Sequence, residues 1–296
     1  VTPGGSIPLK PLGWTGSILL FGVPALVFTG FLFVVMPATV AAGASPFVAF
    51  HAGFMAPLVL MLAAAFLWYR LEGRPWTWAG IRDRFRLTRP DRGTWICTAA
   101  LVGWLILWMP FFPFNGWVRA AFDGITFYEA PAGYTNFMNG LTDGTTHVFG
   151  LPFSWGLLLY FLVGLFVFNI LGEELWWRGV ILPRQELSFG RNAWIVHGVL
   201  WALFHMFYHS NLGILLSYLP TTCAISYVAQ RTKSTWPGII GHLVGKPRDP
   251  DSDAQPPSGS LAVGAPGRRR TDRVRKLAST QAQVAVSWII DPDAGQ

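Results

Sequence analysis

Apolar residues fall in long unbroken runs along this chain, not in the spaced stripes of a water-soluble helix. The runs 17–37, 46–69, 94–114, 148–172, 192–208 and 212–229 reach or approach the ~20 residues that carry a helix across a bilayer. A seventh, 235–245, is shorter. This pattern predicts an all-α, polytopic transmembrane helix bundle of about six to seven spans. The first run is longer than the ~7–15 residues of a signal-peptide core, and it reads as a retained span.

Composition strengthens the picture. The 296 residues are 52% apolar and 12% charged, with 15 Trp and 23 Phe, against roughly a quarter charged in an average soluble domain. A soluble enzyme is excluded. Charge then supplies direction. Residues 70–92, RLEGRPWTWAGIRDRFRLTRPDR, carry seven Arg against three acids, and the positive-inside rule places that loop in the cytoplasm. Alternation puts the N-terminus in the cytoplasm too, and the later basic loops RGVILPRQELSFGR and QRTKS fall on the same side. The expected location is therefore the cell membrane, multi-pass. The net charge of +7 reports orientation, and no nucleic acid partner is expected. Cys97 and Cys223 lie inside apolar runs and read as packing residues, not a disulfide. From Lys246 the composition turns to Pro, Asp, Ser and Arg, so 246–296 reads as a disordered tail, altered or truncated relative to a longer membrane domain.

Chemistry enters with GEELWWRG, residues 172–179, directly after an apolar run. Ionisable groups within spans are functional candidates. Glu174 and Arg178 stand at i, i+4, the spacing of a helical ion pair. Glu173 is rotated about 100° from Glu174 and has no such partner in its own helix, which leaves it unpaired there. The expected division is a structural Glu174–Arg178 pair and a Glu173 that faces other helices. Carboxylates in low-dielectric surroundings take up protons near neutrality, which general-base or acid work requires. The stretch NAWIVHGVLWALFHMFYHS, 192–210, carries His197, His205 and His209 on one stripe with Trp201, and the seventh run supplies His242. At 1.5 Å per residue, His242 lies roughly 10 Å beyond Thr235, Glu173 about 15 Å before Pro183 and His205 about 21 Å beyond Arg191. Those depths permit a shared site.

The residues EELWWR, 173–178, fit an E-E-x-x-x-R motif and so resemble the CPBP intramembrane proteases, the group of CAAX prenyl endopeptidases and bacteriocin-processing or immunity proteins. WALFH, 201–205, resembles that family's second motif, and HLVGK, 242–246, its third, with Lys246 where Asn is expected. The resemblance implies Glu173 as the base that activates water, His205 as its partner, and His242, with Lys246 in the asparagine's place, near the oxyanion. It divides the chain into an N-terminal two-span region, 1–92, a CPBP-like core, 93–245, and the tail. The implied activity is an intramembrane endopeptidase acting on a peptide or protein substrate in the lipid bilayer, membrane-associated or of prenylated type. No cofactor is required in this reading and no metal is assigned. Zinc is the alternative, since Glu173, His205 and His242 together are also a zinc-ligand set. Lys246 leaves open a catalytically inactive chain, and a membrane scaffold or immunity-type protein is the rival function. A transporter with a proton relay is a third reading, but neither internal repeats nor paired broken helices are visible in its favour.

Overall fold

Residues 8–111, 114–122, 124–134, 147–149, 151–152 and 154–244 are described in a computed structural model of the chain. Helix α1 (Trp14–Ala41) is apolar on every side, and only 17% of its most apolar window is buried. Leu26 and Val34 on it are 73% and 66% exposed. Such a surface fits lipid, where leucine is as much at home as in a core. Helix α2 (Pro46–Leu71) starts at Ser45, whose Oγ accepts the Val48 amide proton, and returns beside α1. The short α3 (Trp78–Arg84) lies in the basic loop and is capped by Thr77. Helix α4 (Arg92–Phe111) begins where Asp91 Oδ1 accepts from Thr94 N at 2.7 Å, and that backbone hydrogen bond holds the Asp91 carboxyl below its ordinary range.

After α5 (Phe114–Phe122), strands β1 (His147–Val148) and β2 (Leu151–Pro152) pair antiparallel, His147 opposite Pro152. The run Trp155–Phe207 is helical for 53 residues, too long for one crossing. It folds back at Gly190, whose φ of +56° lies in the left-handed region that favours glycine. The two arms are α6 (155–189) and α7 (Ala193–Phe204), the latter ending in a tight turn, His205–Phe207. Helices α8 (Leu212–Thr232) and α9 (Trp236–Val244) close the bundle. Cys97 and Cys223 are free thiols.

The molecule is an all-α bundle of membrane helices. Four helical runs among the described residues are long and apolar enough to cross, with Arg92–Leu107 as a shorter apolar helix. The expected six to seven spans differ from this because the fourth and fifth share one helical run and the seventh is only nine residues of helix. The expected end of a span at Gly172 also moves. Helix α6 continues to Phe189, since Gly172 to Gln185 are all buried by protein and need no lipid. Lys246 and the tail 246–296 lie outside the described residues.

Aromatic rings join three of these helices. Phe21 of α1 stacks on Trp177 of α6 at 4.5 Å and 2°, and Trp177 meets Phe204 of α7 at 4.8 Å. Phe28 contacts both Phe204 and Phe207. Without a hydrophobic force between helices in lipid, such close packing carries association, with about 0.5–1.5 kcal/mol per aromatic pair beyond area.

The basic loop is docked on one end of the bundle. Glu72 accepts from Arg74 Nε (2.9 Å), from Arg84 Nε and Nη2 (2.6 Å each) and from Arg184 Nη2 (2.8 Å). Burial would raise the Glu72 carboxyl, but hydrogen bonds from Arg84 and Arg184 and the charge of Arg84 bring it from 4.5 down to about 2. Arg84 also donates to the carbonyl of Gly179, one turn past the E-E motif. Arg86 grips Glu186 with two bonds of 2.8 Å, and Thr235, at the start of α9, donates its hydroxyl to Phe85 O at 2.6 Å. One loop thus fixes two of the three helices that carry the motifs, α6 and α9.

Candidate active site

Helix α6 is π-helical on both sides of the E-E pair, over Leu165–Leu171 and Leu175–Ile181, with one α-helical turn, Gly172–Glu174, between. Wide turns of this kind are rare and frequent at functional sites. They stand here around two carboxylates, Glu173 at 5% exposure and Glu174 at 0%.

The expected ion pair is present. Arg178 Nη1 donates to Glu174 Oε1 at 2.8 Å with both side chains fully buried, and the guanidinium lies 3.6 Å over the Trp201 ring. Taking both charges out of water costs several kcal/mol per ion unless partners surround them. The indole face supplies one such partner. Gly238 of α9 lets the helices approach this pair, because a Cβ there would collide with Glu174 Oε2. Glu174 Oε2 and the Nε and Nη2 of Arg178 have no hydrogen-bond partner among the described residues.

Glu173 is not left unpartnered, contrary to the expectation from its helix position. Asn169 Nδ2 donates to Oε1 at 3.2 Å, and the indole N–H groups of Trp177 (3.0 Å) and Trp201 (3.4 Å) donate to Oε2. Asn169 and Trp177 stand four residues before and four after Glu173, so the spacing for neutral donors was there to read. Trp201 comes from the next helix and had no local signal beyond its place on the histidine stripe.

The histidines separate. His205 Nδ1 lies 2.8 Å from Trp201 O, and a carbonyl only accepts, so Nδ1 carries a proton. The His205 ring stacks on Tyr218 at 4.8 Å and 8°. His242 turns to the other carboxylate: its Nδ1 lies 3.1 Å from Glu174 Oε1, and its ring meets Trp201 edge-on at 5.4 Å. His197 is fully buried away from these groups, with Nδ1 2.7 Å from Gln185 Oε1, and Gln185 in turn donates to Ser17. Through Nδ1 it ties α1, α6 and α7, while its buried Nε2 has no hydrogen-bond partner among the described residues. His209, 3% exposed, bonds Tyr218 at 2.9 Å, and burial, with His205 and Arg119 near, pushes it well below the usual histidine range.

The zinc alternative finds no geometric support. No three His, Cys, Asp or Glu side chains among the described residues are grouped to hold a metal. Glu173 is engaged by N–H donors and His242 by Glu174, so the arrangement does not fit a three-ligand site.

Residues 154–245 match a family model described as Type II CAAX prenyl endopeptidase Rce1-like. That stretch runs from the start of α6 past the end of α9 and contains Glu173, Glu174, Arg178, His205 and His242. The resemblance carried by the three motifs is therefore borne out over a segment shorter than half the chain, and it supports an intramembrane protease of CAAX type in general terms. No curated protein and no solved structure matches.

Proposed function

We propose that the chain is an intramembrane endopeptidase of CPBP/CAAX type, hydrolysing a peptide bond of a membrane-associated or prenylated-type substrate with a glutamate-activated water. The observation that carries this reading is the placement of Trp201. Its indole touches Glu173, Arg178, His205 and His242, so groups from three helices surround one ring. A carboxylate offers about four acceptor positions. Three on Glu173 are taken by Asn169 and the two indoles, which leaves Oε1 a place for the attacking water.

In the proposed step the Glu173 carboxylate removes a proton from that water, and the oxygen bonds to the substrate's carbonyl carbon. His205, the second-motif histidine, is the partner that orients the same water in this reading. The tetrahedral oxyanion needs an N–H donor. His242 supplies one from Nε2 when its ring is doubly protonated, because Nδ1 is already turned to Glu174. The proton on Glu173 then passes to the leaving nitrogen as the C–N bond breaks. Glu174 and Arg178 hold His242 and Trp201 in place. The basic end of the bundle faces the cytoplasm in this reading, with the N-terminus on that side.

A non-catalytic scaffold of immunity type is the rival, favoured by the three N–H donors that already engage Glu173. The distinguishing experiment incubates the purified full chain with a farnesylated peptide and its unprenylated counterpart, with and without chelator. The account expects cleavage of the farnesylated peptide that survives chelation. Cleavage abolished by chelator would overturn the metal-free mechanism, and no cleavage of either peptide would favour the scaffold.

A further inference from the structure

Charge is distributed unequally between the two ends of the bundle. The end built from 8–14, 70–95, 184–194 and 230–236 holds twelve Lys and Arg against four Asp and Glu, an excess of eight positive charges. The described residues at the opposite end, 114–122 and 124–134, carry Arg119 and Glu129. That these four segments share one end follows from their contacts: Leu12 N with Arg184 O, Arg86 and Lys233 with Glu186, and Gln230 Nε2 with Gly190 O.

The two partly buried carboxylates of this end, Glu72 and Glu186, are already saturated by guanidinium and ammonium groups. Six further cations, Lys10, Arg70, Arg89, Arg92, Arg191 and Arg231, are exposed and make no ion pair among the described residues. At the same level Trp14, Trp76, Trp78 and Trp95 are 60%, 58%, 69% and 51% exposed. Exposed tryptophan beside exposed cations in a membrane bundle marks the headgroup layer, where the indole sits among glycerol and phosphate groups. A protein or nucleic acid partner in water would match the charge alone. Lipid matches both charge and indoles.

We propose that this end is a binding surface for anionic phospholipid headgroups, with the six unpaired cations meeting lipid phosphates and the four tryptophans anchoring among them. The occupant is a lipid and not a soluble phosphate, and the proposal does not rest on the protease reading. Basic residues near an anionic leaflet each contribute about 1 kcal/mol. Because Arg84 of the same loop holds the carbonyl of Gly179 and Phe85 holds Thr235, lipid seated here also bears on the ends of α6 and α9.

The test uses the purified full chain in neutral detergent, exposed to phosphatidylglycerol or phosphatidylcholine, with retained lipid counted by native mass spectrometry. The expected result is retention of phosphatidylglycerol well above phosphatidylcholine, undiminished by millimolar inorganic phosphate. Replacing Arg70, Arg89, Arg92 and Arg231 together by Gln lowers retention by about fivefold per guanidinium removed. These side chains are exposed and lack ion pairs, and an unchanged melting temperature confirms that the variant folds. Equal retention of the two lipids, displacement by inorganic phosphate, or full retention by the folded variant would each overturn the proposal.

Discussion

The interior site and the basic end treat ionic groups in opposite ways. At the basic end, two carboxylates are surrounded by five cationic side chains: Glu72 by Arg74, Arg84 and Arg184, Glu186 by Arg86 and Lys233. Inside the bundle, Glu174 has one guanidinium and one imidazole, and Glu173 has only neutral N–H donors. The boundary carboxylates are over-provided with partners, as a structural clamp beside water allows. Of the clamp's cations only Arg184 keeps a buried nitrogen, Nε, without a hydrogen bond among the described residues. The interior pair keeps orphan atoms, Glu174 Oε2 and two nitrogens of Arg178, where each such atom costs about 1–3 kcal/mol. Stability alone does not account for that arrangement. A site that must admit water and a peptide does.

The sharpest way to break the contrast is to remove Arg178. Arg178→Met leaves Glu174 buried with only His242 beside it, and the loss expected is about 3–5 kcal/mol. Thermal unfolding in detergent checks this, and Glu174→Leu combined with Arg178→Met should recover most of the loss. Next in size is Gly238→Ala, whose methyl would meet Glu174 Oε2 and force α9 outward, at about 1–3 kcal/mol. Trp177→Phe keeps the ring between Phe21 and Phe204 but removes the N–H to Glu173, for about 1–2 kcal/mol. A variant as stable as the parent would show that the indole N–H is incidental.

The clamp differs in kind, because its pH dependence is confined to acid. The folded Glu72 carboxyl is depressed from 4.5 to about 2, so its contribution is fully present above pH 4.5 and is lost as pH falls towards 2. Melting temperature followed from pH 6 to 2 should decline in that window for the parent. Glu72→Gln should be less stable at pH 6 and lack this part of the decline. Parallel curves would remove Glu72 from the account.

How much of this was legible in the sequence depends on the range of each interaction. Unbroken apolar runs gave away the membrane bundle, and i, i+4 spacing gave away the Glu174–Arg178 pair, because both are properties of one helix. The continuation of α6 through the motif was hidden, since burial by protein and burial by lipid look alike in an apolar run. The reversal between 172 and 192 was announced by the basic loop RGVILPRQELSFGR, but its place at Gly190 had only the glycine to mark it. The basic loop was read for orientation by counting arginines, and counting does not reveal that Arg84 reaches Gly179 or that Arg86 reaches Glu186. Glu173 was misjudged for a related reason. Attention to charged partners passed over Asn169 and Trp177 at the same helical spacing, and Trp201 reaches it only through the packing of α7 on α6.

The most direct test of the central claim compares cleavage of the farnesylated peptide by the parent chain and by Glu173→Gln, with melting temperatures measured alongside. The amide keeps the shape of the side chain but cannot take a proton from water. The account predicts that kcat falls by about 10²–10⁴-fold while the fold persists. Cleavage at the parental rate by a folded Glu173→Gln chain would contradict it.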